Sequence, residues 1–265
     1  MRWRLLLGLL CCLAGVAHAA PATTAASPQK AYLSLIIDDL GQNLPRDRRV
    51  LALPGPVTAA IMPDTPHATE FAREAHRAGK IVILHMPMAP ATGPFAWHPE
   101  LPIEELEKRL NAAFQAVPYT AGINNHMGSR MTIQQPAMAW LMADLQRRHK
   151  FFVDSRTSAK TVAAAEAQKI GLASVSRDVF LDDEPTEAAI FTQLQTAISL
   201  ARKQGSAVMI GHPYPQTLAV LERELPKLKA QGIDWIDIKQ MISVRGNRAT
   251  AAHGKDGQYH LPTAR

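Results

Sequence analysis

The sequence predicts an α/β fold, a single distorted (β/α) barrel of seven or eight mostly parallel strands. Two observations carry this. Short runs of Val, Ile, Leu and Phe without polar alternation recur along the chain, as strands buried on both faces of a parallel sheet require. Longer amphipathic stretches, several of them stopped by glycine, fill the gaps between the runs, so strand and helix alternate throughout. The composition agrees: 47% hydrophobic and 20% charged residues in 265 is an ordinary globular balance that excludes disorder, collagen or a coiled coil as the main character. An open doubly wound sheet is the alternative architecture. No Gly-x-Gly-x-x-Gly follows the first apolar run, so a dinucleotide cofactor has no support.

In chain order, Met1 to Ala19 has a basic start at Arg2 and Arg4, an apolar core from Leu5 to Val16 and the small-residue pattern Ala17-His18-Ala19. Together these read as a Sec-type signal peptide cleaved after Ala19, which places the protein in the periplasm or outside the cell with no stable membrane span after cleavage. Leu9 and Leu10 occupy the places where a lipoprotein signal needs small residues, and both cysteines, Cys11 and Cys12, leave with the segment. Losing Arg2 and Arg4 reduces the formal net charge from +6 to +4. That modest excess is compatible with an anionic envelope polymer and gives no reason to expect nucleic acid. Residues 20–30, rich in Ala, Thr, Ser and Pro, form a flexible linker.

The barrel is expected over residues 31–244. Its strands are the apolar runs at 32–37, 57–62, 81–86, 121–124 (the weakest), 151–154, 172–175, 207–210 and 233–238. Its helices are the stretches at 67–78, 102–117, 135–149, 162–170, 187–204 and 216–230. The first of these stops at Gly79 and the fifth at Gly205, while the second opens with Pro102 and Glu104, Glu105 and Glu107 before Lys108 and Arg109, the charge order that complements a helix dipole. Residues 245–265, polar and broken by glycines and Pro262, are expected to be a disordered tail.

In a parallel α/β fold the working residues gather where strands end. Here Asp38 and Asp39 follow the first run, His85 follows the third, Asn124-Asn125-His126 the fourth, Asp154-Ser155-Arg156 the fifth, and Gly211-His212 the seventh. Two adjacent carboxylates repel each other unless a cation lies beside them. Asp39, His85 and His126 end three different runs whose ends share one rim. Two imidazoles and one carboxylate suit a divalent metal, zinc first, with remaining positions open; the same set also serves non-haem iron.

The segments Leu35-Ile-Ile-Asp-Asp-Leu-Gly41, Gly122-Ile-Asn-Asn-His-Met-Gly-Ser129, Phe152-Val-Asp-Ser-Arg-Thr157, Arg177-Asp-Val-Phe-Leu-Asp182 and Ile210-Gly-His-Pro213 resemble, in order, the divergent polysaccharide deacetylase family. This is a distant branch of the carbohydrate esterases with a distorted (β/α) barrel, and the resemblance covers roughly residues 32–243. It implies an exported, metal-dependent hydrolase that removes acetyl groups from an envelope or matrix polysaccharide. Asp38 matches the general base of the better-known deacetylases, and Asp39 their metal-binding aspartate. Of their His-x-x-x-His metal pair only His85 is present, since Ala89 stands four residues on; His126, by its position, supplies the second imidazole. His212 resembles the general acid, and Asp154 a residue of the site wall that orients a histidine or the substrate.

The incomplete histidine pair keeps a second reading open, a catalytically inactive envelope protein that binds glycan or a protein partner with the same barrel. A two-carboxylate glycosidase is more remote, because adjacent aspartates do not supply the separation that its acid and base need. Among other candidates, Trp97 lies in a Pro- and Gly-containing loop and is the best sugar-stacking residue. Arg130, Arg156 and Arg177 are expected to pair with carboxylates such as Asp154, Asp178 and Asp182.

Overall fold

The computed structural model describes residues 30–252, with side chains to residue 246. The signal peptide at 1–19, nearly all of the linker and the far part of the tail lie outside these residues. The described chain runs β1 (Ala31–Leu40), α1 (Leu44–Ala52), β2 (Val57–Ile61), α2 (Ala68–Arg77), β3 (Ile81–Met88), α3 (Ile103–Ala116), β4 (Gly122–Met127) and α4 (Gln135–Arg147). It continues through β5 (Phe151–Asp154), α5 (Ala163–Lys169), β6 (Ser174–Ser176), β7 (Val179–Phe180), α6 (Glu187–Gln204), β8 (Ser206–Gly211), α7 (Pro215–Glu224), β9 (Ile233–Trp235) and α8 (Ile238–Ala252).

Every strand pair is parallel, in the order β6-β5-β4-β3-β2-β1-β8-β7, with β9 beside the start of β1. The hub is β1, which pairs with β8 from Tyr32 to Ile37, with β2 from Leu35 onward and with β9 from Ala31 to Leu33. Between the outermost strands β6 and β7 stand only Arg177 and Asp178, so one short segment carries the chain from the β5 side to the β8 side. The sheet curls on itself, and the expected (β/α) barrel is present in distorted form.

The pleat divides the apolar residues between two cores. Leu33, Leu35 and Ile37 of β1 face outward and pack with Val57, Leu84, Phe152 and Met209 under the helices. Ile36 faces inward with Ala60, Ile83, Val153, Val208 and Ile210. Three residues of α8, Ile238, Met241 and Ile242, complete this inner core. Their i, i+3, i+4 spacing puts them on one helix face, and burying each contributes roughly 1.5–3 kcal/mol. Ser34, inward on β1, donates its hydroxyl to the carbonyls of Ile236 (2.7 Å) and Asp237 (3.2 Å), which fixes where α8 enters. The helix therefore fills the barrel from the end where strands begin, and the end where they finish stays open.

Four differences from the sequence expectation have local causes. Helix α1 was hidden by its charge, since Leu-Pro-Arg-Asp-Arg-Arg has few apolar residues; its signals are the Asn43 cap, which accepts from the Arg46 N–H at 3.1 Å, and Pro45 in the first turn. The apolar run at 233–238 is a strand only to Trp235, because the chain turns at Ile236 and Asp237 and its last residue, Ile238, begins α8. That helix continues to Ala252, so the stretch expected as a disordered tail from residue 245 is helical over its first part. Strand β7, two residues long, is too short to register as an apolar run.

Candidate metal centre and active site

The inward series on β1 is Ser34, Ile36, Asp38, so the pleat that fills the inner core also aims the first aspartate over its top. Asp39 follows with φ +56°, a left-handed conformation costly for a residue other than glycine. Gly41, at φ +101°, continues the turn, and its N–H donates to Asp47 Oδ2 of α1 at 2.8 Å. On the next strands His85 pairs in register with Asn124, and Pro87 with His126; alternate residues of β4 put Asn124 and His126 on the same inner face.

Asp39 Oδ1 lies 3.1 Å from His126 Nδ1 and 3.3 Å from His85 Nε2, and the two ring nitrogens are 3.2 Å apart. Ligands at about 2.0–2.1 Å around a tetrahedral ion are spaced by about 3.3 Å, so this triangle has the dimensions of three corners of such a site. Two further observations agree. Asp39 Oδ1 is buried without any hydrogen bond, an orphaned acceptor that a cation would satisfy. Asn124 Oδ1 accepts from His85 Nδ1 at 2.8 Å, which leaves Nε2 to face the centre as a ligand. The residues present thus fit a divalent metal. Asp39→Ala or His126→Ala is expected to weaken binding of one divalent ion per chain by about tenfold or more, read by elemental analysis after reconstitution and by competition with a chelator.

Asp38 is buried beside this triangle. Its Oδ1 accepts from Asn124 Nδ2 at 2.8 Å and its Oδ2 stands 3.5 Å from His85 Nε2. Asn124 thereby links the aspartate to the histidine. Across the opening, His212 follows β8 and is held by Asp182: Oδ1 of Asp182 takes the ring Nδ1 at 2.9 Å, and Oδ2 accepts from the His212 backbone N–H at 2.6 Å and from Thr217 Oγ1 at 2.7 Å. The free Nε2 faces Asp39 Oδ2 at 3.8 Å. Phe180 meets the His212 ring edge-on and Tyr214 stacks against it, each with centroids 5.3 Å apart.

Burial raises Asp38 above the ordinary carboxylate range, against the pull of His85, His212 and Asn124. Burial also opposes ionisation of Asp39, but the His126 and His85 rings overcome it and hold Asp39 well below that range. His85 is disfavoured as a cation by burial, yet Asp38 and Asp39 lift it to about 9. For His212, burial is likewise outweighed by the Asp182 hydrogen bond and by Asp38, and its pKa rises. In the metal-free protein the His85 imidazolium supplies the positive charge between the carboxylates. Its pKa is higher folded than unfolded, so its stabilisation is complete below about 6.5 and is lost as pH rises toward about 9. Urea denaturation of chelator-treated protein is expected to show stability falling across that interval, and saturating metal is expected to remove the fall.

The structure therefore brings together Asp38, Asp39, His85, His126 and His212. Asp154 stands apart. Its Oδ1 accepts from the Arg156 N–H at 2.8 Å and its Oδ2 from Thr161 Oγ1 at 3.0 Å, bracing the loop before α5, and the histidine-orienting place expected of it is held by Asp182. Trp97 is fully buried and packs at 5.8 Å on Trp140, which overturns its expected sugar-stacking role. The exposed aromatic at the rim is Tyr214. Of the arginines, Arg130 pairs with Glu100 at 3.0 Å. Arg177 instead donates to the carbonyls of Ser155 and Arg156 and lies over Phe180, while Asp178 pairs with Arg245. Sequence reasoning missed the roles of Asp182 and Asn124. The available signals were position alone: Asp182 closes the motif that starts at Arg177, and Asn124 is two residues before His126.

Fold and site together define a curled, parallel α/β barrel with a carboxylate–imidazole cluster on the rim where its strands end. The chain belongs to the divergent polysaccharide deacetylase family, whose model matches residues 35–242. An uncharacterized Escherichia coli protein, YibQ, is 43% identical over 195 residues, covering 72% of this chain and 61% of that protein. An uncharacterized protein from Agrobacterium tumefaciens has the same fold, with a TM-score of 0.77 at 23% identity over 80% of this chain and 89% of its own. A Bacillus anthracis protein described as a CE4 family pseudoenzyme superposes with a TM-score of 0.53 at 15% identity, over 82% of this chain and 66% of its own. The fold alone therefore does not establish catalysis, and activity has to be argued from the site. Among the described residues no helix is long and apolar enough to cross a membrane.

Proposed function

We propose that this protein is an exported, metal-dependent hydrolase that removes acetyl groups from an envelope or matrix polysaccharide. The observation that carries the proposal is the Asp39–His85–His126 triangle flanked by an aspartate on one side and a carboxylate-backed histidine on the other. Export rests on the signal peptide read in residues 1–19. Zinc suits two imidazoles and a carboxylate with positions left open.

A divalent ion in the triangle would supply Lewis acidity at the acetyl carbonyl. Asp38 accepts a proton from the attacking water; Asn124 holds the carboxylate in place, and His85 and His212 offset part of the burial that raises its pKa. Water adds to the carbonyl carbon, and the C–N or C–O bond to the sugar then breaks. His212 keeps its Nδ1 on Asp182 and delivers the Nε2 proton to the departing nitrogen or oxygen. The products are acetate and a sugar with a free amine or hydroxyl. Acid and base are set by opposed surroundings, a carboxylate behind His212 and imidazoles around Asp38.

The test is acetate release from acetylated amino-sugar polymers and O-acetylated glycans by protein with a measured zinc content. Release that depends on both the metal and Asp38 supports the proposal. A fully loaded protein that cleaves none of them would leave glycan or partner binding by an inactive barrel as the better account.

A further inference from the structure

One cavity among the described residues lies away from the candidate metal centre. It lies at the opposite end of the barrel, where β4, β5 and β6 begin and α8 enters, and has a volume of about 480 Å³. We propose that this cavity is a second binding site, one that takes the phosphate group of an anionic ligand.

Its charge is of one sign. Arg148, Lys150 and Lys239 line it together with His149, and no aspartate or glutamate does. Lys150 is half-buried and uses one donor, to the Thr120 carbonyl at 2.6 Å. Its ammonium is held below the usual lysine range by burial and by repulsion from Lys239 and Arg148. Asp144 accepts from Arg148 at 2.5 Å but is shared with Arg147 at 2.6 Å, so one carboxylate serves two guanidinium groups. Lys239 makes no hydrogen bond or ion pair among the described residues. It also sits in the first turn of α8, the positive end of a helix dipole, where a cation is locally unfavourable. Asp237, two residues earlier, is occupied as the cap of that turn, accepting from the Gln240 N–H at 2.8 Å. Repulsion among cations costs stability that a bound dianion would return.

Backbone conformation supplies an independent indication. Among the described residues, five other than glycine have positive φ, namely Asp39, Met127 and Arg156 around the candidate active site, and Tyr119 and His149 in this cavity. Tyr119, at φ +64°, follows Pro118 in the turn after α3, and His149, at φ +54°, follows the cap of α4. Elsewhere the chain uses glycine for such places, at Gly79 after α2, Gly171 after α5 and Gly205 after α6. A side chain is kept at both cavity positions where glycine would avoid a cost of about 1 kcal/mol. The Tyr119 ring is 54% exposed and stacks flat on His76 at 4.1 Å, which gives the cavity edge an apolar face for whatever carries the phosphate. Polarity and position thus separate the two ends: a carboxylate–imidazole centre at one, a cationic pocket at the other.

The metal-stripped full chain is to be titrated with inorganic phosphate and with pyrophosphate, followed by the amide shifts of Tyr119, Lys150 and Lys239. In parallel it is sedimented with vesicles of phosphatidylglycerol or of phosphatidylcholine. Saturable shifts at these three residues are expected in the millimolar range or tighter, weakened about threefold by Lys239→Gln and about tenfold by Lys150→Gln with Lys239→Gln, with a shallower salt dependence. Lys239→Gln alters a surface side chain with no partner, so the fold is not at stake in that arm. Response to the free anions identifies a soluble phosphate ligand, and lysine-dependent sedimentation with phosphatidylglycerol alone identifies a lipid headgroup. The proposal is overturned if neither probe binds, or if the double variant binds as the unmodified protein does.

Discussion

Asp38→Asn is expected to reduce acetate release by at least about a hundredfold while one divalent ion per chain is retained. The loss is of the size attributed to a positioned general base, and the ion stays because its three candidate ligands are Asp39, His85 and His126. Asparagine has the shape of aspartate and preserves the packing against Asn124, so thermal stability is expected to change little. Rate and metal content measured on the same preparation separate the two roles. A variant that keeps activity within about tenfold, with its metal in place, would remove Asp38 from the chemistry.

The second large effect is expected at a residue that does not touch the substrate. Asp182 accepts three hydrogen bonds from His212 and Thr217. Asp182→Asn replaces the carboxylate whose hydrogen bond is, after burial, the largest influence on His212, and removes its charge as well. His212 then holds its proton less tightly, so less of it is protonated at a given pH. The high-pH limb of the rate profile is expected to move to lower pH and the maximal rate to fall by about a hundredfold. The limb is the informative readout, since a general loosening of the fold lowers the rate without displacing it. Asp154→Asn, by contrast, is expected to leave the limb in place, because Asp154 braces the loop before α5.

The strands and helices were legible where residue types follow one period for long enough. The runs at 151–154 and 187–204 coincide with β5 and α6, since each is bounded by its own stop signal. The clustering of Asp39, His85 and His126 was legible for a similar reason: parallel order obliges strand ends to share a rim, so the three meet without any knowledge of their distances. What was illegible depends on facing. Asp154 follows an apolar run as Asp38 does, but it shares its side of β5 with Phe152, which packs under the helices, and its carboxylate closes a loop. Asp182 follows a strand of only two residues, where no run exists to mark an end. Trp97 was read as exposed from its loop composition, whereas the loop folds back on β3, with the Trp97 N–H donating to the Pro87 carbonyl at 2.9 Å.

The position of β1 also bears on how the chain reaches its native state. The strand that carries both aspartates is among the first elements of the described chain, yet two of its three neighbours, β8 and β9, are about 175 to 200 residues further along. Loop-closure entropy must be met before those pairings stabilise anything, so the topology is one of high contact order and slow folding. A nascent chain lacking its last sixth has neither β9 nor the helix that fills the inner core, and its first strand is left with an open edge and an unfilled interior. Such a chain is expected to complete its fold only once β9 and α8 are available.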